Sequence, residues 1–255
     1  MILFVFGGER REPQLYQALE SLFFNEKEDK TIVCSFGCNI YELYRRVNLL
    51  GEGADIVSIL RKDLEGRDDN PLRDITTSSE FAEIYLFFDY DLHHNNKRHS
   101  LSLEEINSQL HEMLVTFNDE TENGKLYINY PMVESIRHVK ELPDSNYHRY
   151  TVPRDNCKDF KLIVQEFSGY GNLRFLTDTN KDHFETTKQN WQHLIDMNVS
   201  KANYICHGAN EYPKNKSDIT QKNIFDSQLQ KYVNTDECSV AILNAFPIFL
   251  YDYFK

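Results

Sequence analysis

Two aspartates one residue apart, Asp89 and Asp91, stand directly after the apolar run Ile84-Tyr85-Leu86-Phe87-Phe88. On an extended chain residues i and i+2 lie on the same side, so both carboxylates converge just past the end of that run. Paired carboxylates repel one another, and a hard divalent cation with oxygen ligands relieves the repulsion. The plainer alternative is a solvated loop in which one aspartate caps the next helix.

Two further acidic clusters share this placement. Gly7-Gly8-Glu9-Arg10-Arg11-Glu12 follows the apolar run Ile2 to Phe6, and Glu134 stands four residues after the run Leu126 to Tyr130. Each has its own plain reading, because a helix dipole favours acidic residues in the first turn. Three acidic clusters at three strand ends on one edge are harder to dismiss than any one of them. His93, His94 and His99 follow the aspartates and could ligate a metal or carry a proton, or simply form a solvated loop. Arg10, Arg11, Lys97 and Arg98 stand where a phosphate could be met. No Gly-x-x-x-x-Gly-Lys-Ser/Thr loop, complete Gly-x-Gly-x-x-Gly or Gly-x-Ser-x-Gly elbow occurs.

The elements that must position these residues follow from periodicity. Ile2 to Phe6, Thr31 to Phe36, Glu83 to Phe88 and Leu126 to Tyr130 are short continuous apolar runs, the pattern of strands buried on both faces. Between them lie helical patterns: Leu15, Ala18, Leu19 and Leu22; then Ile40, Leu43, Tyr44 and Val47 behind an Asn39 cap; then Ile106, Leu110, Met113, Leu114 and Phe117 behind a Ser102-x-x-Glu105 capping box. A short helix is expected around Ile56 to Leu60, and another helix from Pro131 carrying Val133, Ile136 and Val139. The alternation predicts an α/β domain over residues 1–141, a parallel sheet with helices on both faces and its four strand ends along one edge. After a polar break, helical patterns at 160–168, 183–196, 219–232 and 238–254 predict a mainly helical C-terminal region, 142–255, serving for interaction or to complete the core.

Composition narrows the function classes. Forty per cent hydrophobic residues supply a core, and a net charge of −12 argues against a surface that binds nucleic acid by itself. Affinity for a polyanion would then come from a local patch or a partner. The five cysteines are scattered and read as reduced thiols; Cys34 and Cys38 have no second ligand pair near them for zinc. The apolar start is too short for a signal segment, and no run is long enough to span a membrane, so a cytoplasmic protein is expected.

Together these motifs resemble the Toprim fold, and within it the nucleases of bacterial anti-phage and abortive-infection systems, the OLD and RloB-like group. Phe6-Gly7-Gly8-Glu9-Arg10-Arg11-Glu12-Pro13 resembles that group's Glu-Gly-x-x-x-Glu-Pro opening, Phe87-Phe88-Asp89-Tyr90-Asp91 its Asp-x-Asp strand, and Pro131-Met132-Val133-Glu134 its Pro-x-x-Glu element. The resemblance implies Mg²⁺- or Mn²⁺-dependent cleavage of DNA or RNA, with the metal on Asp89, Asp91, Glu134 and Glu9, and with Glu9, Glu12 and Glu134 in catalytic roles. It also implies an ABC-type ATPase partner and a possible homo-oligomer, with no membrane association. At one position the chain departs from the family, with Gly7 where the family carries Glu. Glu9 or Glu12 would have to substitute, or the scaffold is a binding subunit without nuclease activity. A phosphatase or phosphotransferase on a related sheet is a third reading.

Overall fold

The computed structural model describes residues 1–24, 30–51, 55–92 and 101–254. Its centre is a five-stranded sheet formed by β1 (Ile2–Phe6), β2 (Thr31–Ser35), β3 (Glu83–Asp89), β4 (Asn118–Asp119) and β5 (Gly124–Asn129), in the order β2-β1-β3-β5-β4. The first three and β5 run parallel, while two-residue β4 is antiparallel to β5. This is the expected α/β architecture. Phe6 pairs with Ser35 and Phe87, and Asp89 pairs with Asn129, so the strand ends share one edge and β3 runs two residues past β1.

Helices connect the parallel strands. They are α1 (Arg11–Leu19), α2 (Ile40–Leu50), α3 (Ile56–Asp63) and α4 (Leu103–Thr116). The side chain of Asn39 accepts from the Glu42 N–H and caps α2, and Ser102 and Glu105 form the expected capping box on α4. Burial of β1 is complete, and of β3 from Ile84 to Phe88, which is why neither strand alternates polar with apolar residues.

One face of the sheet is aromatic. Phe4, Phe6, Tyr85, Phe87 and Tyr127 pack against Tyr16 of α1 and against Phe246 and Phe249 of the last helix, α9, with ring centroids 4.3–6.4 Å apart. Between β5 and α9 the chain forms β6 (Thr151–Pro153), α5 (Phe160–Phe167), α6 (Arg174–Thr177), α7 (Phe184–His207), α8 (Gln221–Gln228) and β7 (Ser239–Ala241), and α9 spans Ala245–Phe254. A single hydrophobic core therefore runs from Ile2 to Tyr251 and crosses residue 141.

Two local expectations differ from the structure. Residues 238–241 are not the start of a helix. Cys238 sits at φ +37°, and Ser239 to Ala241 pair antiparallel with Thr151 to Pro153, so a backbone partner takes the groups a helix would use. Nor does a helix start at Pro131. Tyr130 exchanges backbone hydrogen bonds with Leu243, and the Val133 carbonyl accepts from Asn244 Nδ2, leaving only a 3₁₀ turn at Val133–Arg137.

The aromatic layer makes Phe249 a test of how the C-terminal helix contributes. Phe249→Ala is expected to lower the unfolding free energy by about 3–5 kcal/mol in urea denaturation. A loss below about 1 kcal/mol would place α9 outside the cooperative core.

Candidate functional site

The segments that follow β1, β2, β3 and β5 at the carboxyl edge of the sheet border an open cavity of about 1080 Å³, lined by Glu12, Asp89, Asp91, Glu134 and Lys161 among others. Asp89 is the last residue of β3. The chain then turns: the Tyr90 N–H donates to the Asn129 carbonyl, the Tyr90 ring is buried, and Asp91 takes φ +45°. That left-handed conformation is uncommon outside glycine, and aspartate is among the residues that tolerate it. The Tyr41 hydroxyl donates to the Tyr90 carbonyl and pins the turn from α2. Both aspartates line the cavity, but through this turn and not through the extended chain their spacing suggests.

Glu12 arrives from the first turn of α1, folded back over the loop before it. Its Oε1 accepts the Gly8 N–H at 3.1 Å, and a Cβ at Gly8 would fall 2.5 Å from its Oε2. Only glycine leaves room for this carboxylate. A Cβ at Gly7 would meet the buried Phe88 ring at 2.9 Å, so a glutamate there would require that ring to move. Glu134 lies in the 3₁₀ turn after β5, only 5% exposed, with Oε1 3.5 Å from Lys161 Nζ and Oε2 buried without a partner.

Glu9 is placed differently. It too lines the cavity, but its side chain is 58% exposed, beside Gly37 and 3.6 Å from Arg67. Arg10 and Arg11 line the mouth, while His93, His94, Lys97, Arg98 and His99 lie outside the described residues. Cys34 is buried and Cys38 exposed. Lys161 is the residue that sequence reasoning missed. It belongs to α5, in the part of the chain expected to lie away from the site, and no local motif marks it.

The electrostatics follow from this packing. Burial, and then the charges of Asp91, Glu12 and Glu134, push the Asp89 carboxyl well above the ordinary carboxylate range, against one hydrogen bond from Asn129 Nδ2 at 3.1 Å. Burial raises Glu12 as well, opposed by the Gly8 N–H, increased by Glu134 and reduced by Lys161. A divalent cation suits this donor set: hard oxygen ligands, mutual repulsion, and an orphaned buried oxygen on Glu134. Among the described residues no three His, Cys, Asp or Glu side chains stand close enough to hold an ion by themselves. Mg²⁺ commonly binds through one or two carboxylates and retains waters, which such spacing permits.

Comparison of the chain with protein-family models, curated proteins and solved structures finds no match in any of the three. Among the described residues no helix is long and apolar enough to cross a membrane.

The raised Asp89 carboxyl has a definite consequence for stability. A carboxyl favoured in its protonated form stabilises the fold below the unfolded value near 3.9, and that contribution is lost as pH rises through the folded value. Burial drives His138 down to about 4, so its contribution acts oppositely: present above about 6.5 and lost as pH falls. Comparing variants cancels the histidine. In EDTA, Asp89→Asn should melt higher than wild type at pH 8 by at least roughly 2 °C, with the gap closing at pH 4. A lower melting temperature at pH 8 would show that the carboxylate stabilises the metal-free fold.

Proposed function

We propose that this protein is a Toprim-type nuclease that cleaves phosphodiester bonds of DNA or RNA with the help of Mg²⁺ or Mn²⁺. The observation that carries the reading is the convergence of Glu12, Asp89, Asp91 and Glu134 from three strand ends on one cavity, with Glu134 Oε2 buried and unpartnered. Asp89 and Asp91 would hold the metal with waters in its remaining positions, and Glu134 would complete the site through one of those waters. When bound, the metal lowers the proton affinity of a coordinated water and neutralises charge developing on the phosphate.

The protein's own groups supply the remainder. Glu12, with its proton affinity raised by burial, is suited to take a proton from the attacking water, and Oε2 is the atom for it because Oε1 already accepts the Gly8 N–H. Glu12, rather than Glu9, stands in for the family glutamate absent at Gly7, because Glu9 turns toward Arg67. Arg10 and Arg11 at the mouth are suited to orient the phosphate backbone. Asn129 holds the Asp89 carboxylate in its orientation.

With a net charge of −12, affinity for a long polyanion calls for help from elsewhere. That charge supports an activating partner, in the resembling systems an ABC-type ATPase, within bacterial anti-phage defence in the cytoplasm. A second reading, a scaffold that binds without cleaving, draws on the fit of Gly7 against Phe88.

Purified protein incubated with Mg²⁺ or Mn²⁺ and single- and double-stranded DNA and RNA, with and without the partner, separates the two. Cleavage is expected to stop in EDTA and to fall by at least about a hundredfold in Asp89→Ala and Asp91→Ala, with the far-UV spectrum unchanged. Cleavage that survives in either variant would overturn the metal-nuclease reading. Nucleic-acid binding without cleavage in wild type, with the partner present, would favour the scaffold.

A further inference from the structure

Lys161 reaches the carboxylates from outside the sheet. Its backbone is fixed, because Phe160 beside it is fully buried with its ring 5.6 Å from His138, and α5 packs on the Val133–Arg137 turn that carries Glu134. Its head is not fixed: the side chain is 70% exposed and its ammonium stands 3.5 Å from Glu134 Oε1. Glu134 itself is 95% buried, and its second oxygen has no hydrogen-bond partner. A buried carboxylate is normally matched by a close, well-ordered set of donors. Here the direct contact is one ion pair with a solvated amine, the charge of buried Arg137 acts without a direct bond, and one carboxylate oxygen has no hydrogen-bond partner. Lys161 also acts on Glu12, whose proton affinity it lowers. Lys161 thus acts on both Glu12 and Glu134, while Arg137 also feels the charge of Glu134 from its buried position in the same turn.

Resting on the metal-centre reading above, we propose that Lys161 is a displaceable counter-ion, a positioning residue that neutralises Glu134 while the cavity holds no divalent cation and gives way when one binds. A divalent ion brings twice the charge and a preference for carboxylate oxygen that an ammonium lacks. Two cations beside one carboxylate repel, and the exposed lysine is free to swing into solvent, whereas Glu134 is locked by burial. The exchange requires no backbone movement, because α5 and the Val133–Arg137 turn stay packed. The lysine keeps the metal-free site from carrying an unbalanced buried charge, and it makes metal affinity depend on a residue far away in sequence.

The test is Mn²⁺ binding by calorimetry in the absence of nucleic acid, on full-length wild type, Lys161→Met, Lys161→Arg and the exposed-site control Lys158→Met. Removing the competitor should tighten Mn²⁺ binding in Lys161→Met by roughly fivefold, the range expected for releasing one solvent-exposed ion pair. Lys161→Arg should stay within about twofold of wild type, and Lys158→Met likewise. In protein with ¹³C-methylated lysines, the Lys161 resonance, assigned by its loss in Lys161→Met, should move to the position of a free amine when Mg²⁺ is added. Equal Mn²⁺ affinity in wild type and Lys161→Met, equal tightening in Lys158→Met, or a Lys161 resonance that ignores Mg²⁺ would each overturn the counter-ion role and leave the metal centre standing. If no variant binds Mn²⁺, the counter-ion proposal and the metal-centre reading fall together.

Discussion

Like charges gathered at one partly buried edge impose the main constraint on this structure. Asp89, Asp91, Glu12 and Glu134 meet at the carboxyl edge of a parallel sheet, and burial together with their mutual repulsion pushes the Asp89 carboxyl far up. Such a cluster opposes folding by itself. It persists because the elements that deliver it are held by a much larger apolar core. Glu12 rides on α1, Asp89 ends a strand buried on both faces, and Glu134 sits in a turn trapped between β5 and α5.

Asn129 joins the site to that core. It is wholly buried at the end of β5, opposite Asp89 in register. Its Oδ1 accepts the Ala245 N–H at 3.0 Å, which leaves Nδ2 to donate to Asp89 Oδ1. The orientation of the amide is therefore set by the first residue of α9. Next to it, Asn244 donates to the Val133 carbonyl and to Ser135 Oγ, tying the same helix start to the turn that carries Glu134. The last helix of the chain thus anchors two of the acidic loops.

This anchoring gives the C-terminal part a role in the site. Its aromatic residues Phe246 and Phe249 complete the face of the sheet formed by Phe4, Phe87 and Tyr127, and α5 brings Lys161 to Glu134. The strand pair β6–β7 turns the chain back toward β5 so that α9 can start beside Asn129. The C-terminal helices and the parallel sheet therefore share one continuous apolar interior.

Local patterns were enough for much of this. Continuous apolar runs marked β1, β2, β3 and β5; in β1 and β3 the run reflects burial on both faces, whereas β2 lies at the sheet edge and is mostly half-buried. The Asn39 cap and the Ser102–Glu105 box marked two helix starts through side chains that bond their own nearby backbone. The Asp89-x-Asp91 spacing put two carboxylates next to one strand end, although the left-handed turn at Asp91, and not the expected extended chain, sets how they lie. What lay beyond reach depends on partners distant in sequence. Position 133–137 is a turn because Leu243 and Asn244 claim its hydrogen bonds, and 239–241 is a strand because Thr151 to Pro153 lie alongside. The different positions of Glu12 and Glu9 rest on the room left by Gly8 and on the position of Arg67, and the entry of Lys161 rests on the packing of Phe160. Residue types and short spacings settled which groups could do chemistry; only the folded chain, by bringing distant backbone and charge together, decided which of them share a site.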